Sequence, residues 1–229
     1  MNHCLVRQDF DSEAFGLPFF RLARLDPDLL GGEMRRIARL PGALADARLP
    51  AAAIAGAALL QRHGFRKVAT QVELARAPAP GPGAPALPGL DLPPAEIARH
   101  AANFVHDRFA LDVAIPRAAH DRFWARRIAN SLSGARHRVV AREGGFVTFA
   151  RDGDDIRIDL VSVVAKRRGI ASELLARLVA IAAREGRRAV RVVTECENAP
   201  ALALYARAGF APVRYESVLH FSTRVPNDA

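Results

Sequence analysis

Six consecutive residues, Lys166-Arg167-Arg168-Gly169-Ile170-Ala171, put three cations, a glycine and a small side chain at the head of an apolar-periodic segment. Ile170, Leu174, Leu178 and Ile181 recur at three- and four-residue steps, which predicts a helix over 169–185. The first N–H groups of a helix have no intrahelical partner, and its dipole favours negative charge there. Gly169 allows close approach or a positive φ, and Ala171 leaves room beside it. The chemistry this pattern suits is a cradle for phosphate; a solvated basic helix start is its plainer reading.

A second group follows one strand later. In Glu197–Phe210, Asn198 is an N-cap, Pro200 sits in the first helical turn and Gly209 marks the exit. On these residues alone Tyr205 is a core aromatic. A phenol of ordinary pKa about 10 is protonated at neutral pH and can donate. Asp159 on the preceding strand, and Glu195 and Glu197 after the next, are the carboxylates that could take a proton from an ammonium. Each also reads as a structural or solvated carboxylate, and a water chain could do the same work.

These groups need elements to hold them. Seven of the fifteen prolines lie between Pro78 and Pro94, with Gly81, Gly83 and Gly89 among them, so 78–94 reads as a linker between 1–77 and 95–229. After it, the pattern predicts a helix from Pro94, a loop over Asp107–Pro116 with apolar Phe109, Leu111, Val113 and Ile115, and a helix over Arg117–Leu132. Arg138–Arg142 and Gly145–Arg151 read as strands around Glu143-Gly144, and Ile156–Val164 as a central strand. After the basic loop and its helix come strand Ala189–Thr194, helix 199–208 and strand Val213–Phe221.

This order, with the two motifs, resembles the GNAT superfamily of acyl-CoA-dependent N-acetyltransferases across most of 95–221. The resemblance implies a mixed α/β fold and acetyl-CoA as cosubstrate. It implies that the cofactor pyrophosphate lies against Lys166, Arg167, Arg168, Gly169, Ile170 and Ala171, and that strand splay at Val161–Val163 exposes backbone groups for the pantetheine arm. By the same resemblance Asn198 faces the cofactor and Tyr205 protonates the leaving thiolate. In the first part, Leu60–Leu74 can be laid on Tyr205–Leu219, with Gly64 on Gly209 and Phe65 on Phe210. Residues 1–77 are therefore read as a degenerate half-GNAT unit without its own cofactor loop; the alternative is a common helix–Gly–Phe–strand packing device.

Two further blocks, Asp11-Ser12-Glu13-Ala14-Phe15-Gly16-Leu17-Pro18 and Asn103–Leu132, are similar to acetyltransferases acting on TDP-4-amino-4,6-dideoxygalactose (TDP-fucosamine). That likeness implies a nucleotide-linked amino sugar as acceptor, with His106, Asp107 and Arg108 as contacts; charges on a surface loop are the other reading. Acetylation of another small amine or a protein amine, or a silent acyl-CoA-binding module, are the alternatives.

Composition sets the outer bounds. All but two of the 33 basic residues are arginine, and the net charge is +9, which favours anionic partners. The basic residues are dispersed without repeated basic–aromatic clusters, which disfavours a nucleic-acid reader. Cys4 and Cys196 stand alone, which argues against a zinc site or a disulfide framework. The N-terminus lacks an apolar signal core, and the apolar run Leu49–Leu60 is too short to span a bilayer. The expectation is a cytoplasmic protein without a membrane span, with a homodimer left open.

Overall fold

A computed structural model describes residues 3–83, 85–165 and 167–223. In chain order the elements are β1 (Leu5–Arg7), α1 (Asp9–Phe15), β2 (Phe19–Leu22), α2 (Pro27–Ala38), β3 (Leu44–Pro50), α3 (Ile54–Arg62), β4 (Arg66–Arg76), α4 (Pro94–Ala101), α5 (Arg117–Leu132), β5 (Arg138–Arg142), β6 (Gly145–Asp152), β7 (Asp155–Val163), α6 (Ile170–Arg184), β8 (Ala189–Glu195), α7 (Ala199–Arg207) and β9 (Ala211–Ser222). The fold is mixed α/β. The chain forms two compact units: one holds the residues up to Gln71, His106–Phe123 and those from Tyr215 onward, the other Val72–Val105 and Trp124–Arg214.

In the first unit β1 pairs antiparallel with β2, β2 parallel with β3, and β3 antiparallel with β9. Alternation along β3 sends Ala45, Ala47 and Leu49 to one face, where they meet Leu30, Met34 and Ile37 of α2 and Leu60 of α3. Helix α2 starts where Asp26 accepts from the N–H groups of Asp28 and Leu29 and Pro27 fills the first helical position. Elsewhere in this unit Phe15 stacks on Phe123 at 4.5 Å and on Phe19 at 5.6 Å, and Phe109 meets Phe15 edge-on at 4.8 Å. The two sequence blocks, 11–18 and 103–132, thus share one aromatic cluster. Ser12 donates to the Gln8 carbonyl at 2.6 Å and accepts from Phe19 N–H at 3.0 Å, tying α1 to β2. Within the loop after Asp107, Phe109 and Ile115 are buried as expected, whereas Val113 is 75% exposed.

In the second unit β8, β7, β6 and β5 are successive neighbours, β7–β8 parallel and the others antiparallel. Leu174, Leu175 and Leu178 of α6 are fully buried in its core with Val147, Phe149, Ile156 and Val190. Each such side chain contributes about 1.5–3 kcal/mol by leaving water. Gly145 makes this seat possible: a Cβ there would lie 2.7 Å from Val163 Cγ1 and 2.8 Å from Ile170 Cγ2. The proline-rich segment lies along β5, with Leu87 N–H donating to Val139 O at 2.7 Å and Val139 N–H to Leu87 O at 3.0 Å. Among the described residues no helix is long and apolar enough to cross a membrane.

The helix exits at Gly64 and Gly209 are alike in detail. Phe65 N–H donates to Leu60 O at 3.1 Å and Phe210 N–H to Tyr205 O at 3.0 Å. Gly64 and Gly209 both take positive φ, +86° and +77°, and Leu60 and Tyr205 occupy the same buried place in their helices. This repeats the sequence alignment of the two stretches as a shared helix-terminating motif.

Candidate active site

Strands β7 and β8 pair through Asp155–Arg157 and Ala189–Arg191, yet β7 runs on to Val163 and β8 to Glu195. On its other side β7 stays paired with β6 as far as Val163 opposite Gly145. The register of that pair shifts between Thr148 and Phe149, which face Leu160 and Ile158 and leave Asp159 as an extra residue on β7. The sequence places Val161 and Val163 on this departing stretch, and both are half-buried.

At the end of β7, Val164 N–H donates to Gly144 O at 2.9 Å and the chain turns into the basic loop. Lys166 lies outside the described residues. Arg167 and Arg168 are exposed, and Arg167 takes φ +62°, a left-handed value uncommon outside glycine. Gly169 caps α6 with φ +72° and ψ −1°, and no side chain closes the helix start. A Cβ at Gly169 would meet nothing within 4 Å. Ile170 is buried and Ala171 half-buried, so the loop is anchored from beneath while its glycine faces open space. Glu173 in the first turn is itself paired with Arg142 and Arg177.

Asn198 accepts from Ala201 N–H at 3.2 Å, so its Oδ1 caps α7 as the sequence predicts. Tyr205 is 5% exposed and meets the Phe210 ring edge-on at 5.6 Å. Burial pushes its phenol above the ordinary value, and the nearby Glu195 charge pushes the same way. Tyr205 is therefore neutral and proton-bearing throughout the neutral range.

The three candidate proton acceptors differ in setting. Asp159 pairs with Arg127, accepts from Ser131 Oγ at 2.6 Å and has His137 Nε2 at 3.7 Å. Glu195 is buried, and Glu197 is exposed. Sequence reasoning did not single out His100 of α4. Its Nδ1 lies 2.8 Å from Ser162 Oγ on β7, and Asn103 donates to Val163 O at 3.0 Å. Burial pushes the His100 imidazole below its ordinary pKa. These two contacts fix the end of β7 just before the basic loop. Their signal in the sequence, a histidine and an asparagine three apart at a helix end, is indistinguishable from ordinary surface polarity.

The expected acceptor residues fall in the first unit. His106 is exposed. Asp107 accepts from Phe109 N–H at 2.9 Å, and its Oδ2 lies 2.9 Å from His120 Nε2, so its carboxylate orders the loop. Arg108 is 14% exposed, with its guanidinium 4.0 Å above the Phe109 ring and 3.7 Å from Asp46.

Residues 106–210 match the acetyltransferase (GNAT) family model. Among solved structures the chain is similar to a GCN5-related N-acetyltransferase from Sphaerobacter thermophilus (16% identity, TM-score 0.58, covering 98% of this chain and 77% of that one). It is also similar to one from Kribbella flavida (15%, 0.55, 89% and 81%). A tandem GNAT protein from the clavulanic acid biosynthesis pathway aligns at 16% identity and TM-score 0.52, over 93% of this chain and 77% of its own. At these identities the likeness concerns the fold. Among curated proteins no match is found.

Proposed function

We propose, from the match of residues 106–210 to the acetyltransferase (GNAT) family model, that the chain transfers acetyl from acetyl-CoA to the amine of a nucleotide-linked amino sugar of the TDP-4-amino-4,6-dideoxyhexose type. The observation that carries the acyl-CoA part is the parting of β7 from β8 beyond Arg157 and Arg191, together with an uncapped α6 start at Gly169. The residues present fit that group. Backbone groups of the departing strand suit an extended amide-bearing arm, and the open helix N-terminus with Arg167 and Arg168 suits a pyrophosphate.

Bound acetyl-CoA supplies the acyl group as a thioester. The chain's residues then have three tasks. The α6 N-terminus and its basic loop hold the anionic end of the cosubstrate. Backbone N–H groups of the unpaired part of β7 orient the carbonyl and can stabilise an oxyanion. Tyr205 Oη holds a proton that it can donate to a departing thiolate. For the ammonium proton the candidates are Asp159, which Arg127 and Ser131 engage, Glu195, Glu197 or water.

The sugar part rests on the likeness of the 11–18 and 103–132 blocks. Much of that likeness is aromatic packing among Phe15, Phe109 and Phe123, so the acceptor needs its own test. Purified protein with acetyl-CoA is offered a panel of amines, and acetylated products are read by mass spectrometry. The expected result is a higher kcat/KM for TDP-4-amino-4,6-dideoxyhexoses than for polyamines or peptide N-termini. A peptide or polyamine preferred over every nucleotide sugar overturns the sugar reading, and no product from any amine favours a silent binding module.

A further inference from the structure

Beyond Arg157, β7 keeps its pairing with β6 and loses its pairing with β8, and the remaining ladder fixes which backbone groups face the gap. Val164 N–H donates to Gly144 O, which makes that pair a hydrogen-bonded one. The alternation of an antiparallel ladder then turns the N–H and C=O groups of Val163, opposite Gly145, and of Val161, opposite Val147, away from β6. That is the side β8 leaves after Arg191. Such an edge can bind an extended ligand as an added strand, and does so more tightly the less ordering is left to binding.

Two side chains at the end of α4, in the same unit as β7, hold this edge in line. Asn103 lies just past the helix and donates from Nδ2 to Val163 O at 3.0 Å. It takes the outermost carbonyl of the vacated edge and leaves Val163 N–H and both backbone groups of Val161 toward the gap. Ser162, between them, projects to the other face of the sheet. Its Oγ lies 2.8 Å from His100 Nδ1, and the His100 ring packs at 4.7 Å on Phe146, the cross-strand partner of Ser162. His100 and Ser162 are 2% and 3% exposed, so the contact is shielded from water. Burial holds the imidazole below its ordinary pKa, so the bond is made by the neutral ring and needs no counter-charge. α4 thus grips two consecutive residues of β7, one by its side chain and one by its carbonyl, where β8 no longer supports the strand.

We propose that His100 and Asn103 are positioning residues for the pantetheine arm of the cosubstrate: they pre-align the vacated edge of β7, and Asn103, by occupying Val163 O, sets where an amide of the arm can pair. The arm is left Val161 N–H and C=O and Val163 N–H. This inference rests on the acyl-CoA reading of the site and adds to it two residues that act through β7.

The test is calorimetric titration of the full chain with acetyl-CoA and, separately, with phosphoadenosine diphosphate, the cosubstrate without its pantetheine arm. Asn103→Ala and His100→Leu are each expected to weaken acetyl-CoA about fivefold or more, the scale of one lost hydrogen bond, and to leave the nucleotide half unchanged. His100→Asn, which can place a polar atom near the position of Nδ1, should recover most of the His100→Leu loss. A merely structural role would lower thermal stability without separating the two ligands. Unchanged acetyl-CoA affinity in Asn103→Ala and His100→Leu, equal weakening of both ligands, or a His100→Asn protein no better than His100→Leu would each overturn the proposal. Where the nucleotide half binds too weakly to titrate, recovery in His100→Asn decides. If His100→Leu is unfolded by circular dichroism, Asn103→Ala is read by the same affinity criteria. A wild type that binds neither ligand removes the acyl-CoA reading itself and this proposal with it, whereas a wild type that binds both with no effect of the variants removes the positioning role alone.

Discussion

Tyr205→Phe is expected to lower kcat by about 10²–10⁴ while leaving acetyl-CoA affinity nearly intact. The substitution keeps the ring and its edge-on contact with Phe210 at 5.6 Å, so the core around α7 is preserved. It removes only the hydroxyl, whose proton burial and Glu195 hold on the phenol through neutral pH. Because that phenol titrates above its ordinary range, loss of wild-type activity at mildly alkaline pH should not come from Tyr205. Rapid-quench kinetics, in which the chemical step is isolated, makes the comparison. A folded variant with near wild-type kcat would return Tyr205 to the role of a core aromatic, the reading its position in the hydrophobic cluster also allows.

Asp46→Asn should cost the fold about 1–3 kcal/mol, because it removes a fully buried carboxylate on which the partly exposed Arg21 and Arg48 and the largely buried Arg108 converge. Burial alone would raise the Asp46 pKa, but Arg108, Arg48, His220 and Arg21 outweigh it and hold the carboxyl well below the usual range. A depressed folded-state pKa gives stability that is fully present above the unfolded carboxylate value of about 3.9 and is lost as pH falls toward the folded value. Urea denaturation at a series of pH values should therefore show a wild-type stability that declines with acid and an Asp46→Asn curve with a shallower acid limb. A loss of less than about 1 kcal/mol at neutral pH would mean that the arginines are solvated well enough not to need Asp46.

The sequence was most legible where local rules act alone. Helix α5 has the predicted bounds, and α4, α6 and α7 begin within a residue of their Pro, Gly and Asn signals. The αL geometry of Gly169 follows from residue type, because glycine bears that conformation without steric cost. What long-range contact decides was not legible. The segment LADARLP of β3 alternates small apolar with polar residues, which reads as a strand with one face in water. The structure instead buries Asp46 completely, because Arg21, Arg48, Arg108 and His220 surround it. Only Arg48, two residues on along the same strand, is local; Arg21, Arg108 and His220 come from three other stretches of the chain. Likewise the extra residue at Asp159 depends on how β6 and β7 register against each other, and the alternating Ile156–Leu160 carries no marker for it. The linker's pairing with β5 through Leu87 and Val139 was hidden for a related reason: proline and glycine predict the absence of helix and strand without saying what the backbone leans on.

The cosubstrate cradle is the claim on which the acyl-transfer account depends, and Gly169 is where a single substitution strains it most. An aspartate there would put a side chain into the open space above the α6 N-terminus, with a charge repelling the pyrophosphate, at a backbone φ of +72° that favours glycine. Isothermal titration of acetyl-CoA into the wild type and into folded Gly169→Asp tests this directly. The account predicts saturable one-site binding to the wild type and affinity at least about tenfold weaker in the variant, a difference of about 1.4 kcal/mol or more. No acetyl-CoA binding to the wild type, or equal affinity in both proteins, would contradict it.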